Sequence, residues 1–287
     1  MEKAPQVIPV RPPTPTKDPH PDIHPHLPQI SGAGGGACLL MISPVKTGKS
    51  TIISNLLLNK DFYDAQERFD STHVISNTIA NDVTSRFLKK AFDCNDQYRD
   101  SIIDGIVDRQ KSFEKKEDQP EIAIVVDDCL GSIKREGKIN YLASRFRHFN
   151  IKLLIISAQN FRSCSPIIRQ NATNVIVGSP FPNRKELGKI AEEYGDLFGG
   201  ADNWIKLYKY ACPERYKFIH MDLQENPPVM YSCFDEPIAI GEKVLVNLGG
   251  IDTEVEKKDD LKENKSKIKN GDQSSDQSGQ RDDESSN

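Results

Sequence analysis

The sequence of 287 residues is poor in aromatic residues, in cysteine motifs and in long apolar runs. Only 7% of the residues are aromatic, and no apolar run approaches the roughly 20 residues that a transmembrane helix needs. The six cysteines form no C-x-x-C pair, which argues against a zinc site or a disulfide framework. The N-terminus is rich in proline rather than in apolar residues, unlike a signal peptide. We therefore expect a soluble intracellular protein without membrane insertion.

Two terminal segments also lack the apolar content that a folded core requires. Residues 1–36 hold nine of the 18 prolines and a GAGGG run, and no aromatic residue follows residue 251. Both segments are expected to be disordered, because little apolar burial offsets the entropy of ordering the chain. Residues 37–251 are predicted to form one domain, between a Pro/Gly-rich tail over 1–36 and a charged tail over 252–287. This domain holds 28 Lys and Arg against 28 Asp and Glu, which argues against indiscriminate coating of nucleic acid.

The domain alternates short apolar runs with stretches of helical periodicity. Five runs predict buried strands, at residues 37–43, 71–76, 121–128, 152–159 and 173–179. Helices are predicted in GKSTIISNLLLN, in NDVTSRFLKKAF with Asp82 near its start, and in NRKELGKIAEEYG. Two later runs, YKFIHMDL and PVMYSCF, resemble a closing hairpin. Strands that alternate with helices predict an α/β fold with a mostly parallel central sheet and helices on both faces.

The stretch SPVKTGKST follows the first strand and opens a helix, as a phosphate-binding loop does. Its pattern differs from G-x-x-x-x-G-K-[ST] at the first position, which is Ser43. Gly48 lets the backbone approach the phosphates, Lys49 reaches the β- and γ-phosphates, and the Ser50 hydroxyl is a ligand for Mg²⁺. Pro44 restricts Ser43 to extended conformations, so we expect a stiffer entry into the turn rather than a lost turn. The residues expected to contact the nucleotide are Ser43, Pro44, Val45, Lys46, Thr47, Gly48, Lys49, Ser50 and Thr51.

Two acids end the most apolar run, IAIVVDD. A magnesium nucleotide site needs a carboxylate at a strand end beside the phosphate loop, and Asp127 fits that position. The adjacent Asp128 is placed to orient or deprotonate the attacking water. Because neighbouring side chains of a strand point in opposite directions, one of the two acids needs a turn or bulge to reach the site. Together with Lys49, these acids predict a nucleotide site that uses Mg²⁺.

The run LLIISAQN ends in two polar residues, Gln159 and Asn160. In a P-loop sheet, the strand beside the acid-bearing strand aims such a side chain at the γ-phosphate. A simple nucleotide kinase has no need of this sensor, whereas an NTPase that converts hydrolysis into motion does. Gln159 is therefore expected to sense the γ-phosphate, and an ordinary polar strand end is the alternative interpretation.

These motifs together resemble those of a known family. RHFNIKLLIISAQN is similar to the R-H, strand and Q signature of viral genome-packaging ATPases of large DNA viruses, the poxvirus-type enzymes of the FtsK/HerA superfamily. SPIIRQNATNVIV resembles the segment that follows there, and IAIVVDD resembles the paired-acid motif. The resemblance covers residues 38–237 and departs from the family pattern at Ser43.

The resemblance implies a RecA-like P-loop ATPase that works as a homo-oligomeric ring and moves double-stranded DNA into a capsid. It implies ATP and Mg²⁺ as cofactors, and capsid or portal-vertex proteins as partners. The implied location is the host cytoplasm, at the virus factory, or the virion. Carried over by position, Lys49 and Ser50 handle phosphate and Mg²⁺, Asp127 handles Mg²⁺, Asp128 handles water, and Gln159 senses the γ-phosphate.

Ring ATPases of this kind also place an arginine of one subunit against the γ-phosphate of the next. Arg169, which follows the sensor strand, is the first candidate and is expected near the nucleotide-bearing end of the sheet; Arg147 is the second. The alternative explanation is that either arginine pairs with an acid of its own subunit. Other basic residues between the acidic and sensor strands predict a DNA-phosphate contact, a subunit contact or a solvated helix face. They are Lys134, Arg135, Lys138, Arg145, His148 and Lys152.

The residues leave other functions open. A cellular or plasmid-borne DNA pump or helicase of the same superfamily would carry the same motifs. Ser43 favours a non-catalytic P-loop protein that binds nucleotide or only a partner, whereas the intact lysine, serine and two acids oppose that interpretation. A small-molecule kinase would carry an arginine-rich lid after the core helices, which we do not find in the sequence.

Overall fold

A ten-stranded sheet is the centre of the computed structural model, which describes residues 24–31, 35–80, 85–133 and 137–249. In these ranges the strands are β1 (Ala37–Ile42), β2 (Ser71–Ser76), β3 (Asp93–Asn95), β4 (Ile122–Asp127), β5 (Ile151–Ala158), β6 (Asn174–Gly178), β7 (Phe218–Asp222), β8 (Val229–Ser232), β9 (Glu236–Ile240) and β10 (Lys243–Val244). Their order across the sheet is β10-β9-β8-β7-β6-β1-β5-β4-β2-β3. Neighbours from β6 to β3 are parallel, and neighbours from β6 to β10 are antiparallel.

The parallel half of the sheet holds the strands that carry the predicted motifs. β1 lies between β5 and β6, and β4 lies beside β5, so the carboxyl ends of these strands are neighbours. β1 and β4 are buried along their whole length, which explains their continuous apolar sequences. The predicted α/β fold with a mostly parallel central sheet is confirmed, and β7 and β8 form the predicted antiparallel pair.

Helices cover both faces of this sheet. They are α1 (Lys49–Leu58), α2 (Ala65–Arg68), α3 (Arg86–Ala91), α4 (Asp100–Lys111), α5 (Lys138–Arg145), α6 (Pro166–Asn171), α7 (Arg184–Tyr194) and α8 (Ala201–Ala211). Residues of α1, α2 and α3 share a core cluster with Leu39 and Met41 of β1, whereas residues of α4 to α8 share a cluster with Leu40 and Ile42. The division follows from the alternation of side chains along a strand, which sends successive residues to opposite faces.

Several elements lie where the sequence pattern predicted none. The polar stretch from residue 93 to residue 119 contains β3 and α4, and α4 buries Ile103, Ile106 and Val107 against the sheet. The antiparallel edge is also longer than the predicted hairpin, because β9 and β10 continue it. These elements are stabilised by packing on the sheet rather than by a strong local pattern.

Residues 24–31, which fall within the predicted N-terminal tail, pack against the domain. Leu27 and Ile30 are only 1% and 3% exposed. The Tyr63 hydroxyl donates a hydrogen bond to the carbonyl of Pro28 at 2.7 Å. Composition did not predict this packing, because the surrounding prolines outweigh two apolar residues that reach the core.

Other predictions fall on parts of the chain that the structure does not describe. Residues 1–23 and 250–287, which hold most of the two predicted tails, lie outside the described residues, as do Asp82, Lys134 and Arg135. Within the described ranges, every helix is too short or too polar to span a bilayer.

Candidate nucleotide site

The loop between β1 and α1 turns through left-handed backbone conformations. The φ angles of Lys46 and Gly48 are 61° and 91°, and glycine adopts the second without steric cost. α1 begins after Gly48 without a side-chain cap on its first turn. The first N–H groups of a helix have no partner within the helix. The loop therefore presents backbone donors and the positive end of the α1 dipole to the space above the sheet.

Ser43 stands where the usual pattern has a glycine, and its side chain lies beneath the loop. Its side chain is fully buried and lies 2.5 Å from the Thr47 hydroxyl, oxygen to oxygen. Thr47 donates in turn to the carbonyl of Pro44 at 2.6 Å, so Ser43 is the donor of the first bond. A Cβ atom added to Gly178 would lie only 2.2 Å from the Ser43 hydroxyl oxygen. The serine side chain thus occupies space that Gly178 leaves open and ties the two ends of the loop together.

Lys49 lies under the loop and is held by both predicted acids. It is 8% exposed, and its Nζ atom is 3.3 Å from Asp127 Oδ1 and forms an ion pair with Asp128 Oδ1. Asp127 is the last residue of β4, and Asp128 follows it with a left-handed φ of 54°. That turn directs two consecutive carboxylates to one ammonium group, which a regular strand would not allow.

Side chains of the neighbouring strands fix the two acids in place. Ser76 at the end of β2 donates to Asp127 Oδ2 at 3.0 Å, and the Ser157 hydroxyl in β5 donates to Asp127 Oδ1. Gln159 donates from Nε2 to Asp128 Oδ2 at 3.0 Å. The predicted sensor therefore contacts the acid that is expected to handle water. Sequence reasoning missed both serines, because a single serine in a strand carries no distinctive pattern.

Cys129 follows the two acids directly and is fully buried. Burial, with a smaller contribution from the neighbouring carboxylates, raises the pKa of its thiol to about 12. Its Sγ atom lies 3.1 Å from the carbonyl oxygen of Asp127, to which it donates. Burial therefore favours the neutral thiol, which helps to hold the turn after β4.

An open cavity of about 460 Å³ lies above the loop and Asp128, whereas Asp127 is buried and does not line it. Seven of the nine predicted loop residues line it: Pro44, Val45, Lys46, Gly48, Lys49, Ser50 and Thr51. Asp128 and Gln159 line it as well, whereas Ser43 and Thr47 lie buried beneath the loop. The structure adds Thr78, Arg215 and Tyr216 to the lining. These three residues are far from the loop in sequence, and no motif or spacing marks them.

Arg169 is absent from the described residues that line this cavity. Its guanidinium lies 3.3 Å from Glu193 Oε2 and 4.6 Å from the centroid of the Phe161 ring. It lines a second cavity of about 810 Å³, which is bounded by α5, α6, α7 and the segment after β5. The structure thus pairs Arg169 with an acid of its own chain, and its role in a neighbouring subunit stays a prediction.

The basic residues around the start of β5 divide into those that form an ion pair with an acid and those that do not. Lys138 forms an ion pair of 2.9 Å with Asp104, and Lys152 forms one of 3.1 Å with Glu121. Arg147 is exposed and precedes β5, at the end of that strand opposite the nucleotide cavity. Two predicted basic contacts are therefore neutralised within the chain, and Arg145 and Arg147 carry the remaining guanidinium charge of the described segment.

Three solved structures are similar to this chain. The DNA-packaging ATPase B204 from Sulfolobus turreted icosahedral virus matches with a TM-score of 0.51 and 16% identity, over 69% of this chain and 98% of that chain. The genome-packaging NTPase B204 from Sulfolobus turreted icosahedral virus 2, in complex with AMPPCP, matches with a TM-score of 0.48 and 16% identity, over 68% and 96%. The pCW3 conjugation coupling protein TcpA with ATPγS matches with a TM-score of 0.48 and 14% identity, over 70% and 62%. Neither a protein-family model nor a curated protein sequence matches this chain. The likeness to the first structure confirms the fold that the resemblance to packaging ATPases implied.

Proposed function

We propose that this protein is an ATP-hydrolysing enzyme of the P-loop type. The observation that carries the proposal is the convergence of Lys49, Asp127 and Asp128 at adjacent strand ends. Buried charges are costly even when they are paired, so a buried lysine between two acids indicates a role beyond packing. The uncapped start of α1 beside them supplies N–H donors for phosphate oxygens.

The residues divide between phosphate binding and water activation. On nucleotide binding, Lys49 exchanges its carboxylate partners for the β- and γ-phosphates. Asp127 and the Ser50 hydroxyl are oxygen ligands of the kind that Mg²⁺ prefers, and they would hold it where it neutralises phosphate charge. Asp128, once free of Lys49, orients or deprotonates the attacking water. Gln159, hydrogen-bonded to Asp128, links that acid to the presence of the γ-phosphate.

We further propose that hydrolysis drives double-stranded DNA into a viral capsid through a homo-oligomeric ring. Support comes from the fold shared with a viral DNA-packaging ATPase and from the RHFNIKLLIISAQN motif. Capsid or portal-vertex proteins would then be partners, and the virus factory of the host cytoplasm or the virion would be the location. DNA contacts would fall to the exposed basic residues before β5, since phosphate contacts require positive charge but no base reading. A non-viral DNA pump of the same superfamily is the alternative, and detection of the protein in virions separates the two.

ATP turnover by the purified protein, measured with and without double-stranded DNA, tests this function. We expect turnover that DNA stimulates. Lys49→Ala should abolish turnover and weaken nucleotide binding, because it removes the charge that faces the β- and γ-phosphates. Lys243→Ala, at an exposed lysine of β10, is the matched control and should behave as wild type. Unchanged turnover in Lys49→Ala would contradict the site, and nucleotide binding without turnover in wild type would favour the non-catalytic P-loop protein.

A further inference from the structure

The loop between α8 and β7 places an aromatic ring on the phosphate loop. A Cβ atom added to Gly48 would lie 3.2 Å from Cδ1 of Tyr216, so the tyrosine ring rests directly on that glycine. The rest of the side chain is open, with 61% of the residue exposed. Tyr216 is the only aromatic residue among the described residues that line the nucleotide cavity.

The backbone of Tyr216 adopts a strained conformation that keeps its ring outward. Tyr216 has a φ of 71°, in the left-handed region that bulky residues seldom adopt. Its N–H donates to the carbonyl of Ser179 at 3.3 Å, and the Ser179 N–H donates to the carbonyl of Lys217 at 2.9 Å. Strained backbone of this kind persists only where the surroundings fix it, and it concentrates at functional sites.

Two other tyrosines of the domain are buried rather than exposed. Tyr63 and Tyr208 are buried, and their hydroxyls donate to the carbonyls of Pro28 and Gly178 at 2.7 and 2.9 Å. Tyr216 buries little apolar area in comparison, so its ring contributes little to the core. An exposed ring that is fixed in orientation has a flat face available for stacking.

We propose that Tyr216 is the platform on which the base of the bound nucleotide stacks. This inference rests on the proposed function, since it concerns the same cavity. The phosphates are taken by Lys49, Ser50 and the start of α1, and the cavity extends from them to Tyr216. Stacking on an aromatic ring is tolerant of base identity, because every base has a π-face. The site should therefore accept several nucleotides and favour purines, which offer the larger face.

Calorimetric titration with ADP and with pyrophosphate, both in Mg²⁺ buffer, tests the platform. The two ligands share the phosphates but differ in the nucleoside. Tyr216→Gly removes the ring at a φ that glycine adopts freely. We expect ADP to bind about tenfold more weakly to this variant, in line with the effect of one base–aromatic stack, and pyrophosphate to bind as in wild type. Tyr216→Phe keeps the ring and should retain full ADP affinity.

One control variant and one replacement variant complete the test. Phe87→Ala removes another aromatic side chain that is 62% exposed but lies outside this cavity, and it should leave both affinities unchanged. Tyr216→Asn, a residue type that tolerates the left-handed region, replaces the glycine variant if that protein does not fold. Unchanged ADP affinity without the ring, or equal losses for ADP and pyrophosphate, would overturn the platform. Wild-type protein that binds neither ligand would instead refute the proposed function itself.

Discussion

Two cavities lie beside the carboxyl end of β5, and each has basic side chains that are paired with acids of the same chain. The larger, of about 810 Å³, contains two arginines that are paired with acids of α7, Arg162 with Glu186 at 2.8 Å and Arg169 with Glu193 at 3.3 Å. These acids belong to a helix that closes one side of the cavity. The smaller cavity, of about 460 Å³, is lined by Lys49 and by Asp128, one of its two acids.

The two cavities differ in how the helices beside them begin. α6 and α7, at the larger cavity, begin with side-chain caps from Ser165 and Asn183, whereas α5 beside the same cavity begins without one. α1, at the smaller one, begins without such a cap. Capping satisfies backbone N–H groups that would otherwise be available to an anion. The candidate nucleotide site is marked instead by Lys49 and the two acids beside the start of α1, because neither cavity volume nor an uncapped helix start alone separates the two cavities.

The strongest challenge to this comparison comes from Arg169. If it acts on the nucleotide of a neighbouring subunit, the larger cavity belongs to a catalytic interface and the Arg169–Glu193 pair must open. Arg169→Ala should then bind ATP normally and lose turnover by on the order of 10³-fold, because arginine fingers stabilise transition-state charge. Mixing it with Lys49→Ala protein should restore part of the turnover, since some interfaces then combine an intact loop with an intact arginine.

Arg162→Ala is the control for that mixing experiment, because it removes the other paired arginine of the same cavity. It should reduce turnover little and need no complementation. If mixing restores nothing while both variants assemble, Arg169 does not act in trans. The same mixing experiment should then be repeated with Arg147→Ala. The contrast between the candidate nucleotide site and a cavity whose arginines serve only their own subunit would then stand.

A second test separates the two acids under the smaller cavity. Asp128→Asn should keep Mg-nucleotide bound but slow turnover about 10²–10⁴-fold, the range for loss of a general base. Asp127→Asn should weaken Mg²⁺-dependent nucleotide binding, which titrations with and without Mg²⁺ measure. Asp104→Asn, at a half-buried acid outside the site, is the control. Equal binding defects in Asp127→Asn and Asp128→Asn would show that the two acids do not divide the work.

The sequence predicted the frame of this site because its determinants are local. The second apolar run, 71–76, has the bounds of β2, and the end of β4 carries Asp127 as expected. Parallel strands place their carboxyl ends along one edge, so motifs at three strand ends had to meet there. Lys49 consequently lies against both acids, and the positions of the motifs at the strand ends were enough to predict this contact.

The remainder of the site depends on contacts that leave no local pattern. Ser76 and Ser157 hold Asp127 from strands on either side, but a single serine in a strand has no distinctive spacing. Arg215 and Tyr216 reach the cavity because a loop far along the chain crosses back over the phosphate loop. Such crossings follow from tertiary packing, which periodicity and composition do not encode.

The smallest expected effect concerns Ser43, where the loop departs from the usual pattern. Ser43→Gly removes a buried hydroxyl and its bond to Thr47, and it frees the backbone of the unfolded chain. We expect the free energy of unfolding to fall by about 1 kcal/mol. Turnover should stay within about twofold of wild type, because Pro44 still sets the first bend. A large rise in turnover would show that the native loop is impaired and would favour the non-catalytic interpretation.

A double-mutant cycle with Gly178 shows whether the serine side chain shapes the loop as the structure indicates. Gly178→Ala alone should be clearly destabilising, because its Cβ would lie 2.2 Å from the Ser43 hydroxyl oxygen. In the Ser43→Gly background that atom is gone, so the same alanine should cost about 1 kcal/mol less in chemical denaturation. Gly105→Ala, where nothing lies within 4 Å of the added Cβ, is the control and should be additive with Ser43→Gly. Additivity at Gly178 as well would mean that the serine hydroxyl does not fill the space facing it, and that Pro44 alone determines the loop.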